Sequence, residues 1–228
     1  MARAGFDWLA VDLEHSTITI REAEDLIRVI DLCGVDPLVR LTSNNRDLIK
    51  RVMDAGACGV IVPMVNSGAD ALAAVQAVYY PPKGKRGVGL ARAQGYGPRF
   101  HQYREWLERD GAVVIAMIEH IDGVNNLGEI LAVEGIDGYF IGPYDLSSSM
   151  GLSGQLEHPD VLAAIERVRA TARAMKKPGG VHVIEPIPAR LREFMAQGFT
   201  FLAYSLDIRM LDATARAGTL EGRSRSGS

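Results

Sequence analysis

Several short apolar segments of this sequence end in side chains that can move protons or bind ions. Six such side chains follow the ends of four segments: Asp12, Glu14, His15, Arg40, Glu119 and Asp145. If the segments are parallel β-strands, their carboxyl ends meet at one edge of the sheet and bring these side chains into one space. The pattern predicts a polar site built from carboxylates, an imidazole and a guanidinium.

The carboxylates of Glu119 and Asp145 suit a hard divalent cation such as Mg²⁺ or Mn²⁺. Such a cation is commonly held by one or two protein carboxylates, with water and substrate as its other ligands. Each residue can instead cap the helix that follows it. Asp122 is expected to cap the helix that runs to Leu131, which would free Glu119 for a cation. From the residues alone, capping and cation binding both stay open.

Proton transfer and anion binding have their own candidates in the same cluster. His15 can act as a general base with Asp12 as its orienting partner, because an imidazole exchanges protons near neutral pH. A structural role for His15 is the alternative. Arg40 ends an apolar segment, where an oxyanion or carboxylate would satisfy its planar guanidinium. The alternative for Arg40 is a salt bridge with Asp12, Glu14 or Asp54.

Composition excludes several classes of function. The 228 residues include 25 basic and 28 acidic side chains, a net charge of −3 that does not suggest a surface for nucleic acid or an anionic membrane. No apolar run reaches the roughly 20 residues of a membrane-spanning helix. Lysine is absent from the predicted strands, which argues against Schiff-base chemistry. We expect a cytoplasmic protein whose partners are small molecules or other protein chains.

The elements that must position these residues alternate between strand-like and helix-like patterns. Apolar, β-branched segments separated by amphipathic stretches predict βαβ units around a parallel sheet, which is an α/β fold. Seven strands are predicted, over residues 8–13, 37–41, 60–65, 112–118, 138–141, 180–183 and 199–204. Thr19 and Glu22 form a predicted capping box. We expect one domain over residues 1–221 and a disordered polar tail over 222–228.

The motifs that carry the polar residues also resemble those of a known family. They are GFDWLAVDLEH (5–15), PLVR (37–40), VPMV (62–65), PPKGKRGVG (81–89), IE (118–119) and FIGPYDLS (140–147). Together and in this order they resemble the HpcH/HpaI-type class II pyruvate aldolases. The resemblance implies a TIM (β/α)8-type barrel of the phosphoenolpyruvate/pyruvate superfamily. Family members have a strand and a helix before the first motif, so the resemblance also implies that the first barrel strand is missing here.

The resemblance assigns a role to each residue of the site. It implies a divalent metal (Mg²⁺, Mn²⁺ or Co²⁺) on Glu119 and Asp145, and substrate binding by the segment 142–145. The backbone amides of Tyr144 and Asp145 would hold the substrate carboxylate. The complete set of implied residues is His15, Asp12, Arg40 and Asp54 for catalysis, and Arg40, Gly142, Pro143, Tyr144 and Asp145 for substrate. Within it, His15 and Asp12 handle the proton, Arg40 contacts the keto oxygen, and Asp54 belongs to the same network.

The implied activity is reversible cleavage of a 4-hydroxy-2-oxo acid into pyruvate and an aldehyde through a metal-stabilised enolate of pyruvate. Alternatives are a 2-oxo acid decarboxylase or acyl-CoA-type lyase on the same site, and a truncated member without catalysis. Met117 and Tyr144 depart from residues common in the family, which leaves the aldehyde open. The resemblance implies a homo-oligomer, a trimer of dimers, and the apolar residues Leu206, Met210 and Leu211 of the last helix agree with such burial.

Overall fold

The computed structural model describes residues 1–109 and 111–225. The chain divides into two compact units, Met1–Pro178 and a second that starts at Gly179. The single domain over residues 1–221 stays a prediction.

The first unit is built on five parallel strands in sequence order. They are β1 (Trp8–Asp12), β2 (Asp36–Arg40), β3 (Gly59–Val62), β4 (Val113–Ile118) and β5 (Gly138–Ile141). All residues of β3 and β5 are buried, as expected for parallel strands covered on both faces. The predicted strands and the α/β class are confirmed, with bounds that differ by a few residues. The carboxyl ends of these strands therefore share one edge of the sheet.

Helices separate the strands of the first unit. They are α1 (Ile20–Leu32), α2 (Arg46–Ala55), α3 (Gly68–Val78), α4 (Phe100–Glu108), α5 (Ile121–Asn125), α6 (Leu127–Ala132), α7 (Pro143–Ser149) and α8 (Pro159–Ala174). Short 3₁₀ helices cover Ala2–Ala4 and Arg92–Gln94. The predicted capping box of Thr19 and Glu22 is confirmed, because each side chain accepts a hydrogen bond from the backbone N–H of the other residue.

The helical segment after β4 differs from the prediction in its cap and its length. The N-cap is His120, whose Nδ1 accepts a hydrogen bond from the backbone N–H of Asp122. Asp122 lies in the first turn and is therefore not the cap, so this part of the prediction is wrong. The segment forms two short helices, α5 and α6, which meet at Asn126. Glu119 is still free of a capping role, because His120 performs it.

In its described residues, the second unit contains one parallel strand pair and two helices. Strand β6 (Gly179–Val183) pairs with β7 (Phe201–Tyr204), and the helices are α9 (Pro188–Ala196) and α10 (Asp207–Arg225). Helix α10 extends four residues into the segment 222–228 that is predicted as a polar tail. Residues 226–228 lie outside the described residues. Within the described part of the chain, no helix is long and apolar enough to cross a membrane.

Candidate active site

The ends of β1 and β2 bring a carboxylate and a guanidinium into direct contact. Asp12 and Arg40 are register partners in the parallel pair of strands. The Arg40 guanidinium donates from Nε to Asp12 Oδ1 at 2.8 Å and from Nη2 to Asp12 Oδ2 at 2.5 Å. This two-point geometry is the strongest form of an arginine–carboxylate pair. One of the alternatives for Arg40, a salt bridge with Asp12, is therefore present.

The pairing sets the charge state of both residues. Burial by itself would raise the pKa of Asp12, but the hydrogen bonds and charge of Arg40, together with two backbone N–H groups, lower it overall. Burial likewise works against the charged Arg40, and the hydrogen bond and charge of Asp12 outweigh it, so the pKa of Arg40 is raised. Asp12 is thus held as a carboxylate and Arg40 as a cation.

Glu14 is a member of the predicted cluster to which the sequence assigns no catalytic role. Its Oε2 lies 3.6 Å from Arg40 Nε and 3.8 Å from His15 Nε2. This oxygen is buried and has no hydrogen-bond partner among the described residues. Burial is the main cause of a raised pKa for Glu14, and the charges of Asp12 and Asp145 add to it against the opposing charge of Arg40. The available signal was its position two residues after Asp12, just past the end of β1.

Glu119 is the most enclosed carboxylate of the site. It follows β4, is only 3% exposed, and its Oε1 accepts a hydrogen bond of 2.7 Å from the backbone N–H of Met64. On its other side, a Cβ at Gly142 would lie 2.7 Å from Glu119 Oε2. Burial raises the pKa of Glu119 to about 7, with contributions from the charges of Glu14 and Asp145 and opposition from the Met64 hydrogen bond.

Asp145 lies in the first turn of α7, at the end of β5. Gly142 is the N-cap of this helix and Pro143 is its first residue. Asp145 and Tyr144 are exposed. The charge of Asp145 raises the pKa of both Glu14 and Glu119, and the charge of Glu14 also raises the pKa of Glu119. The structure therefore brings Asp145 into the electrostatic environment of Glu119, as the pattern of strand ends predicts.

His15 lies at the rim of the cluster with its side chain 63% exposed. Its backbone N–H donates to Asp12 Oδ1 at 3.3 Å, while its imidazole Nε2 lies 3.8 Å from Glu14 Oε2. The described contacts of the Asp12 carboxylate are with Arg40 and with the backbone of residues 14 and 15. Asp12 therefore does not orient the imidazole as expected, because Arg40 engages both of its oxygens.

Asp54 is placed in a different network from the one expected. It lies in α2, and its Oδ1 accepts hydrogen bonds from Arg86 Nη2 at 2.7 Å and Arg86 Nε at 3.2 Å. The Arg86 side chain is fully buried and also donates to the hydroxyl of Tyr103 and the carbonyl of Val78. Within the described contacts, Asp54 therefore meets Arg86 and not Arg40.

The residues of the cluster fit a hard divalent cation. Within residues 1–109 and 111–225, no group of three or more His, Cys, Asp or Glu side chains is arranged to hold a metal ion. Two carboxylates are sufficient where water and substrate complete the coordination. Because Gly142 has no Cβ, Glu119 Oε2 can pack closely against its backbone, and the buried Glu14 Oε2 has no hydrogen-bond partner in the described structure.

Parallel strands that carry acids and an arginine at their carboxyl ends define an α/β protein with the architecture of an enzyme. The chain belongs to the HpcH/HpaI aldolase/citrate lyase family, whose sequence model matches residues 1–212. The predicted family is thereby confirmed, and with it the prediction of an aldolase.

Individual relatives agree with this assignment. The chain is 36% identical to the hydroxypyruvate/pyruvate aldolase of Agrobacterium fabrum, over 98% of this chain and 86% of the relative. It is 39% identical to the 4-hydroxy-2-oxo-heptane-1,7-dioate aldolase of Salmonella paratyphi C, over 95% of this chain and 82% of the relative. A solved HpcH/HpaI aldolase/citrate lyase family protein from Burkholderia cenocepacia J2315 is similar with a TM-score of 0.89 and 32% identity, over 97% and 88% of the two chains.

Proposed function

We propose that this protein is a divalent-cation-dependent aldolase that cleaves a 4-hydroxy-2-oxo acid reversibly into pyruvate and an aldehyde. The observation that carries the proposal is the enclosed Glu119 carboxylate, which lies between the Met64 amide and Gly142 and interacts electrostatically with Glu14, Asp145 and Arg40. Two relatives of the chain are named hydroxypyruvate/pyruvate aldolase and 4-hydroxy-2-oxo-heptane-1,7-dioate aldolase, which supports the same class of substrate.

Glu119 and Asp145 would hold the cation. HpcH/HpaI aldolases generally depend on a divalent metal, which supports Mg²⁺, Mn²⁺ or Co²⁺ in this place. The cation would supply Lewis-acid polarisation of the carboxylate and keto oxygens of the 2-oxo acid. Concentrated negative charge from Glu14, Glu119 and Asp145 would favour its binding.

Arg40 would stabilise the negative charge that develops on the keto oxygen while the carbon–carbon bond breaks. Its contacts with Asp12 use Nε and Nη2, and we assign the keto oxygen to Nη1. The pairing with Asp12 would then serve to fix the plane of the guanidinium. In this view Asp12 orients Arg40, whereas the resemblance implies that it acts together with His15.

His15 would accept the proton of the substrate 4-hydroxyl in the cleavage direction. Loss of this proton forms the aldehyde carbonyl, and the electrons of the C3–C4 bond pass to the pyruvate fragment, which takes up a proton at C3. The exposed imidazole lies beside Glu14, whose raised pKa makes it a suitable partner for proton exchange. Backbone amides of Tyr144 and Asp145, in the first turn of α7, would hold the substrate carboxylate.

The same resemblance supports three proposals about the molecule as a whole. The parallel strands would belong to a TIM-type barrel, and the chain would form a homo-oligomer, a trimer of dimers, in the cytoplasm. Leu211 of α10 is 72% exposed, which supports burial against another copy. We leave Asp54 as a proposed member of the catalytic network, to be tested by substitution.

A retro-aldol and aldol assay on a panel of 2-oxo acids and aldehydes tests the proposal. We expect pyruvate release from a 4-hydroxy-2-oxo acid with added Mg²⁺, Mn²⁺ or Co²⁺, and its loss with a chelator. Decarboxylation of oxaloacetate or cleavage of an acyl-CoA thioester, without any aldol product, would contradict the proposal and favour the alternative lyase chemistry on this site.

A further inference from the structure

Met64 has a backbone conformation that its residue type disfavours. Its φ is +51°, in the left-handed region, where a residue with a Cβ is uncommon and a β-branched residue is a genuine outlier. The Met64 side chain is 47% exposed, so the conformation does not serve to bury it in the core. Such conformations persist where the surroundings enforce them, and they concentrate at functional sites.

The surroundings of Met64 are fixed by strand β4. Before it, Val62 pairs with Ala116, and after it the Val65 N–H donates to the Met117 carbonyl at 3.3 Å. Proline at position 63 has no N–H group. The Met64 N–H is therefore the one backbone donor between Val62 and Val65.

This donor is directed at the carboxylate that we propose as a cation ligand. The Met64 N–H donates to Glu119 Oε1 at 2.7 Å, while Glu119 Oε2 packs against Gly142, where a Cβ would lie only 2.7 Å from it. We infer that Met64 is a positioning residue, whose left-handed backbone fixes the rotation of the Glu119 carboxylate and thereby sets cation affinity. The inference rests on the proposed function, because it requires that Glu119 bind a cation.

Titration of the purified full-length chain with Mn²⁺ in a calorimeter tests the inference. Met64→Val and Met64→Thr place a β-branched residue in the left-handed region, and we expect each to weaken Mn²⁺ binding by about tenfold or more, through loss of a hydrogen bond to a charged group. Met64→Ala and Met64→Gly remove the side chain without β-branching, and we expect affinities within about threefold of the wild type.

Lys176→Val is the matched control. Lys176 is exposed, has a φ of +56° at the end of α8, and has no described contact with the acidic cluster. We expect this variant to lose thermal stability and to keep its Mn²⁺ affinity. Thermal unfolding of every variant, followed by circular dichroism, separates a weakened cation site from a weakened fold.

Three results would overturn this inference and leave the proposed function intact. The first is that Met64→Val and Met64→Thr fold and bind Mn²⁺ like the wild type. The others are that Met64→Ala and Met64→Gly, or Lys176→Val, lose as much Mn²⁺ affinity as the β-branched variants. Failure of both β-branched variants to fold, with Lys176→Val folded, would also overturn it by assigning Met64 to global stability. If the wild type does not bind Mn²⁺, or Glu119→Gln binds it equally well, the proposed function fails as well. That failure is distinguishable, because it appears without any substitution at Met64.

Discussion

At the scale of single residues, the charges of the cluster do not balance. Three carboxylates, those of Asp12, Glu14 and Glu119, interact with one guanidinium, that of Arg40, and the charge of a fourth, Asp145, acts on Glu14 and Glu119. Arg40 is engaged most closely by Asp12. Among the other three carboxylates, Asp145 raises the pKa of Glu14 and of Glu119, and Glu14 raises the pKa of Glu119, so ionising all three costs free energy. A bound cation would remove this cost, and the cluster is therefore better suited to hold one than to stand alone.

Glu119 should make the cation-free protein less stable as the pH rises. Burial is the main cause that raises its pKa from 4.5 to about 7. The folded state therefore keeps a proton that the unfolded state releases in this window, so the free energy of unfolding falls as pH rises from 4.5 to about 7. The fall is at most about 3–4 kcal/mol, since one pKa unit is worth about 1.4 kcal/mol. Urea unfolding with a chelator at several pH values measures it.

Glu119→Gln is the control for this pH dependence. The amide does not titrate, so the contribution of Glu119 should disappear from the curve of unfolding free energy against pH. Identical curves for the wild type and Glu119→Gln would show that Glu119 titrates with an ordinary pKa in the folded protein.

At the scale of elements, Gly142, the N-cap of α7, packs against Glu119, the residue after β4. A methyl group at position 142 would lie 2.7 Å from Glu119 Oε2 and 2.9 Å from Glu119 Cβ, which is too close for unchanged packing. We expect Gly142→Ala to weaken Mn²⁺ binding by at least about tenfold, because the carboxylate must move from its hydrogen-bonded position. Calorimetric titration provides the measurement.

Gly128→Ala is the matched control for this substitution. Gly128 lies in α6, and a Cβ there would meet no atom within 4 Å among the described residues. We expect unchanged Mn²⁺ affinity and no loss of stability, because alanine is tolerated better than glycine in a helix. Gly142→Ala with the affinity of the wild type would show that Glu119 does not require this space.

The pair of Asp54 and Arg86 fixes the long loop after α3 to helix α2. Asp54→Ala would leave the fully buried Arg86 guanidinium without its carboxylate, and we expect a loss of about 3 kcal/mol in unfolding free energy. In Asp31→Ala, which breaks the exposed contact of Asp31 with Arg92, we expect a loss below about 1 kcal/mol. Urea unfolding compares the two. Equal losses would contradict the structural role of Asp54, and a fall in turnover of a stable Asp54→Ala protein would support its catalytic role.

Local sequence signals predict the strands and the helix cap, but they do not predict contacts between residues that are distant in the sequence. The strands follow from apolar, β-branched segments, and the α1 cap follows from Thr19 and Glu22, which are neighbours in sequence. The partner of Asp54 did not follow, because Arg86 lies in an irregular loop and many acids compete for it. The conformation of Met64 was equally hidden, since methionine has no preference for the left-handed region and the strand β4 enforces it.

At the scale of the whole molecule, a small net charge coexists with a strongly acidic site. The chain carries a net charge of −3, which by itself gives no indication of a cation site. The sequence places acids after β1, β4 and β5, and the parallel topology brings their carboxylates within electrostatic reach of one another. The motifs that carry these acids all lie within residues 1–212, the range that the family model matches.

The proposed function requires that Glu119 support cation-dependent cleavage of a carbon–carbon bond. The most direct measurement is the rate of pyruvate release from a 4-hydroxy-2-oxo acid by the wild type and by Glu119→Gln, each with saturating Mg²⁺ and with a chelator. We predict that the wild type is active only with the cation, and that Glu119→Gln loses at least about a hundredfold in kcat, in line with the removal of an electrostatic stabiliser of the transition state. Undiminished turnover of Glu119→Gln in the presence of the chelator would contradict the proposed function.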